Sequence, residues 1–205
     1  MRILAIETAT EACSVALFED GKLLARDHKV LGRGHAERLV PMIEALPDKG
    51  LAERILVSVG PGSFTGVRIG IATARALGFA WSAQVLGYPT LALVAAIEQV
   101  ERKNEPLTVC MNGGHGEWFL QNFAKALPQD PVRSLAPADA ADACRHNVIV
   151  GNRAHELAGM YGAGAKTAIE RLPDAGGVLS LPQDLFVADL SPIYGREPDA
   201  KLPGS

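Results

Sequence analysis

The stretch VGPGSFTGVRIGIATARALGF, residues 59–79, constrains the fold more than any other part of the chain. A short apolar strand over residues 55–59 runs into Gly60-Pro61-Gly62-Ser63 and then, without a linker, into a helix predicted over residues 66–79. Glycine supplies the backbone angles and the small volume that a tight strand-to-helix corner needs. Such a corner can turn backbone N–H groups toward an anion at the helix start, and it serves equally as a tight turn with no ligand. Within the helix, Gly66, Gly70, Thr73 or Ala74, and Leu77 share one stripe. Glycine costs a helix about 1 kcal/mol relative to alanine at each position. Two of them on one stripe imply close approach of another element, either the chain's own sheet or another subunit.

Upstream, residues 3–6 read as a buried strand and residues 13–18 as a second. Asp20-Gly21 is a strong hairpin dipeptide and predicts an antiparallel return over residues 22–29. Leu39, Met42, Ile43 and Leu46 recur at spacings of three and four, which predicts an amphipathic helix over residues 35–46. Pro41 has no N–H to give back, so this helix is expected to begin late or bend. A short edge strand at 85–87 and a helix at 90–100 complete a first lobe, residues 1–100. The charged run at 101–106 is a linker, and a smaller second lobe occupies 107–205. There, strands at 107–111 and 117–123 flank a glycine-filled turn, and helices at 137–145 and 154–160 flank a strand at 147–151. One short helix is expected between 182 and 195. The order strand, hairpin, helix, strand recurs loosely in both halves.

A hydrophobic content of 48% against 21% charged residues implies a packed core and argues against long disordered stretches. The formal charge of -3 supplies no field that would draw the chain onto nucleic acid or an anionic membrane. Cys13, Cys110 and Cys144 are odd in number and far apart, which fits buried free thiols rather than a disulfide framework or a metal knuckle. The apolar run at the start is too short for a signal peptide or a membrane span, so the cytoplasm is the expected compartment.

Three blocks, MRILAIETATEACSVAL, HAERLVPMI and VGPGSFTGVRIGIATARALG, occur in order over most of residues 1–80, with SPIYGR at 191–196. Together they closely resemble the bacterial threonylcarbamoyladenosine biosynthesis subunit, the small paralogue of a tRNA-modifying transferase. The resemblance implies an α/β fold of the actin-like, sugar-kinase-like (ribonuclease H-like) type, with mixed sheets flanked by helices in two lobes. It implies a non-catalytic subunit that pairs with the catalytic threonylcarbamoyl transferase paralogue, with a small ATPase binding the pair. It implies a homodimer when the chain is alone, and contact with tRNA only through the complex. That assembly modifies the adenosine 3′ of the anticodon in tRNAs reading codons that begin with A, and it leaves room for ATP or ADP at the shared interface. The mating face implied comprises two helices, with His35, Arg38, Leu39, Met42, Gly66, Arg68, Gly70, Thr73, Ala74 and Leu77. On that view Gly70→Leu weakens the heterodimer by overpacking. The chain departs from the family at Glu7, where aspartate is usual, and at Met111-Asn112-Gly113-Gly114-His115-Gly116, where an aspartate-alanine-arginine stretch is usual.

No residue stands out as catalytic. Two histidines four apart on a helix share a face and can hold a metal. His35 is followed at that spacing by Leu39, and His28, His115, His146 and His155 have no Cys or His at ligand spacing, so no metal site is expected. His35, with Glu37 and Arg38, reads as a polar cluster at a helix start. Ser63 lacks the Gly-x-Ser-x-Gly spacing of a nucleophile elbow. The competing reading is a stand-alone actin-fold ATPase or small-molecule kinase, with Glu7, Thr8, Thr10, Gly60, Gly62 and Ser63 cradling a phosphate between the lobes. No Gly-x-x-x-x-Gly-Lys-Ser/Thr loop supports it.

Overall fold

The structure, a computed structural model, describes residues 1–195. Its first sheet is built on β1 (Arg2–Glu7), β2 (Ala12–Glu19), β3 (Lys22–Val30), β4 (Arg54–Ser58) and β5 (Gln84–Tyr88). The strand order is β3-β2-β1-β4-β5. β1 pairs antiparallel with β2 and parallel with β4. The β2–β3 hairpin closes through Asp20 and Gly21, both at positive φ (49° and 78°), the pair of angles that makes a two-residue turn follow the strand twist. β1 alternates between two cores. Ile3 and Ala5 enter one, whereas Leu4 and Ile6 enter the other.

The core holding Leu4 and Ile6 lies beneath α1 (His35–Glu44) and α2 (Phe64–Trp81), which pack side by side on one face of the sheet. α1 passes through Pro41 without interruption. Pro41 is exposed, so the carbonyl it leaves unpaired one turn earlier faces water and the expected late start is unnecessary. α2 begins two residues before the predicted start, because Ser63 caps it and accepts a hydrogen bond from the Gly66 N–H at 3.2 Å.

The other core is shared by both lobes. α3 (Thr90–Glu101) carries in its first two turns the unbroken apolar run of residues 91–97, which covers the whole circumference, and Leu91 through Ala96 are buried. It packs against β6 (Leu107–Gly114) and against the 3-10 turn Ala175–Ser180. The second sheet continues with β7 (Glu117–Ala124), β8 (Leu127–Pro128), β9 (Arg133–Leu135), β10 (Val148–Val150) and β11 (Thr167–Ile169). α4 (Pro137–Ala143) and α5 (Ala154–Gly159) cover it. Its order, β11-β10-β6-β7-β8, with β6 antiparallel to β7 and parallel to β10, repeats the plan of the first sheet. β8, β9 and β11 are two or three residues long, too short to show a period in the sequence.

Residues 175–193 leave the second sheet and return to the first. The Ala175 N–H bonds Ser14 Oγ at 2.9 Å, Gly87 and Val187 exchange backbone hydrogen bonds at 2.7 and 3.0 Å, and the Ile193 N–H reaches the Val59 carbonyl at 2.8 Å. The outer edge of β5 is thereby covered. Where one short helix was expected between 182 and 195, a single 3-10 turn occupies Gln183–Leu185. Arg196, the last residue of SPIYGR, and the rest of the second lobe as read to 205 lie outside the described residues.

Candidate functional site

The corner at residues 60–63 closes on its own chain. Gly60 sits at φ 89°, and its N–H bonds Ser58 Oγ at 3.2 Å. The Ser63 N–H donates to the Ala9 carbonyl at 2.6 Å, and the Gly66 N–H is taken by the Ser63 cap. A Cβ on Gly62 would collide with the Ala9 carbonyl. Two of the amides expected to cradle a phosphate, those of Gly60 and Ser63, are therefore already bonded, as is the Gly66 amide at the helix start, and the glycines serve backbone-to-backbone packing. Ser63 acts as a helix cap, and Ser63→Ala is expected to lower stability by about 1 kcal/mol, read as a shift in the urea midpoint.

Glu7 differs from its expected role as well. It is wholly buried at the end of β1, where Oε1 accepts from the Ala9 N–H at 2.7 Å and Oε2 has no partner among the described residues. Two hydroxyls lie nearby: Ser58 Oγ is 2.6 Å from Thr90 Oγ1, either of which can donate, and Tyr88 Oη donates to the Ile6 carbonyl at 2.9 Å. Burial pushes the Glu7 carboxyl up to about 7 from an ordinary value near 4.5, against the smaller opposing effect of the Ala9 hydrogen bond. The native state thus holds an extra proton between those values. Its contribution to stability is complete below about 4.5, falls as pH rises to about 7, and is level above that. At 1.36 kcal/mol per pH unit the fall amounts to at most about 3 kcal/mol. Glu7→Gln should remove it, so that the urea midpoints of variant and wild type agree near pH 5 and the variant is the more stable at pH 8. Parallel curves across that range would show that Glu7 is not held as a buried acid.

Between the lobes lies a cleft of about 1150 Å³. Thr10, Gly62 and Ser63 line it, whereas Glu7, Thr8 and Gly60 do not. Thr8 is buried, and its Oγ1 donates to the Gly66 carbonyl at 2.8 Å, fastening α2 to the end of β1. The residues proposed for a stand-alone kinase are thus divided, half on the cleft wall and half behind it. Among the described residues, no group of three or more His, Cys, Asp and Glu side chains is arranged to hold a metal ion. On the rim, the Arg68 guanidinium lies 3.3 Å from the centroid of the Phe64 ring and donates to Tyr194 Oη at 2.5 Å.

The two-helix face needs a correction in detail. Leu39, Met42 and Ala74 are buried in this chain's own core. A Cβ on Gly66 would overlap the Thr8 carbonyl, and one on Gly70 the Thr8 hydroxyl, so the glycine stripe faces β1 and not a partner. Gly70→Leu accordingly acts on the fold. His35 is buried too, with Nε2 3.2 Å from the Ala12 carbonyl, and pins the start of α1 to β2. Thr73 and Leu77 are half-buried, and Arg38 and Arg68 are exposed. The outward side of α2 carries Phe64, Arg68, Ala72, Arg75, Ala76 and Phe79, spaced three or four apart, and that of α1 carries Val40. Phe79 is 91% exposed, Phe64 64% and Val40 55%. Exposure of this kind is a signal the sequence conceals, because nothing in the spacing of Phe79 marks it as facing water.

Two repeated mixed sheets, a helix shared between them and a cleft at their junction define an actin-like α/β protein. The family model described as "TsaD: tRNA N6-adenosine threonylcarbamoyltransferase" matches residues 29–180. The tRNA threonylcarbamoyladenosine biosynthesis protein TsaB of Escherichia coli K12 is 33% identical over 183 residues, 86% of this chain and 75% of the relative. The structure of YeaZ from Pseudomonas aeruginosa superposes with a TM-score of 0.75 at 28% identity, covering 94% of this chain and 99% of that one. A second solved structure, of an uncharacterized protein similar to peptidase YEAZ from Pseudomonas aeruginosa, gives a TM-score of 0.71 at 30% identity over 88% and 89% of the two chains. The chain belongs to the TsaB/YeaZ family. No helix among the described residues is long and apolar enough to cross a membrane.

Proposed function

We propose that this chain is the non-catalytic partner subunit of the transferase that forms threonylcarbamoyladenosine in tRNA. The reading rests on membership of the TsaB family, whose E. coli relative is named for that biosynthesis. It is supported by one structural observation. The outer side of α1 and α2 leaves Phe79 at one end of α2, Phe64 at the other, and Val40 of α1 exposed, apolar side chains that a docked partner would cover. The partner is a TsaD-like catalytic transferase, and the docking face is the outward set Arg38, Val40, Arg68, Ala72, Ala76 and Phe79. The small ATPase of the same biosynthesis binds the pair, ATP or ADP occupies the shared interface, and tRNA is met through the complex. Alone, the chain uses the same face for a homodimer. The expected compartment is the cytoplasm.

The test is to mix the purified chain with a TsaD-type transferase and follow both by size-exclusion chromatography at micromolar concentration. Co-elution as a heterodimer is expected. Separate elution at every concentration tried would end this reading.

A further inference from the structure

A side-chain hydrogen bond joins two turns on opposite walls of the cleft. Asn152 Nδ2, in the turn between β10 and α5, donates to Glu11 Oε1 in the turn between β1 and β2, at 2.7 Å, joining positions 141 residues apart. Both ends are anchored. Asn152 Oδ1 accepts the Asn112 N–H at 2.8 Å, which fixes it to β6. The Glu11 carbonyl accepts the Leu31 and Gly32 N–H groups at 2.8 and 3.0 Å, and these residues open the loop that enters α1. A continuous path of hydrogen bonds therefore runs from the second sheet, across the cleft, to the segment that positions α1.

We propose that Glu11 and Asn152 form a latch that holds the lobes at one opening and ties that opening to the loop in front of α1. Two features make this pair suited to the task. Both side chains are half-buried at the cleft wall, so water competes with the bond less than at an open surface. Gly32 and Gly34, at φ 68° and 86°, leave the loop backbone wide conformational freedom, and the hydrogen bonds of Leu31 and Gly32 to the Glu11 carbonyl restrain it at that end. Release of the bond leaves each lobe's own core intact while removing the side-chain link between the two turns.

Hydrogen exchange on the full chain tests this. Asn152→Asp keeps the acceptor for the Asn112 N–H but sets a carboxylate against the Glu11 carboxylate, so it opens the latch alone. Exchange at the Leu31 and Gly32 amides should accelerate about tenfold, with Asn112 and the β1 core amides unchanged. Glu11→Gln combined with Asn152→Asp restores a donor and an acceptor with their roles exchanged, and should return exchange to within about twofold of wild type. Unaltered exchange at Leu31 and Gly32 in Asn152→Asp would overturn the proposal. So would a double variant that exchanges as fast as the single one, or acceleration spread equally over the β1 core. None of these outcomes depends on the transferase partner.

Discussion

Gly66→Ala is expected to bring the protein close to unfolding. The added methyl would sit inside the contact distance of the Thr8 carbonyl, and the Ser63 side chain closes in from another direction. Neither can give way cheaply. The Thr8 backbone ends the central strand, its hydroxyl is bonded to the Gly66 carbonyl, and the Ser63 oxygen caps α2 at the Gly66 N–H. Overpacking usually costs about 1–3 kcal/mol, and a collision with fixed backbone belongs at or above the upper end, a large share of a domain's typical stability of about 5–15 kcal/mol. Gly159→Ala supplies the contrast. Nothing lies within 4 Å of a Cβ at that position, so the same change in α5 should leave stability equal or higher by about 0.5 kcal/mol through helix propensity alone. Urea unfolding of the two variants beside wild type decides the matter. A wild-type midpoint for Gly66→Ala would mean that α2 does not lie against β1 as described.

Phe79→Asp should have the opposite profile, with little effect on folding and a large one on association. The ring is almost entirely in water, so replacing it should move stability by less than about 0.5 kcal/mol. On the docking face proposed above the ring would be an apolar anchor, and aspartate there would lose that burial while placing a charge opposite an apolar surface. A hot-spot loss of about 2 kcal/mol or more corresponds to at least roughly thirty-fold weaker binding to a TsaD-type transferase. Titration calorimetry gives the affinity, and the thermal midpoint of the free chain gives the control. Unchanged affinity would move the docking surface away from this side of α2, even if the two proteins still associate.

The two variants mark where sequence reasoning reached and where it stopped. The β1–β2–β3 meander was legible because alternation and Asp20-Gly21 are local, and α3 because a long helix-forming run follows Pro89. The glycines of α2 were correctly seen to demand a close neighbour, but the sequence held two candidates for it. Gly66 and Gly70 spend that closeness on Thr8. The face left in water is the opposite one, where alanine, arginine and phenylalanine show no pattern that marks them as exposed. Glu7 was likewise conspicuous, as a carboxylate closing a strand, yet its surroundings include Ser58 and Tyr88, which arrive from β4 and β5.

By itself the sequence determined the longer strands and helices, the first hairpin and the family, since these follow from periodicities, turn residues and short motifs within one stretch of chain. Only the tertiary structure decided which side of each amphipathic helix stays in water, which carboxyl is denied solvent, and that Glu11 meets Asn152 across the cleft. The physical reason is common to all three. Solvent exposure and contacts between distant positions are properties of how sheets and helices stack, and stacking is summed over the whole chain rather than written in any segment of it.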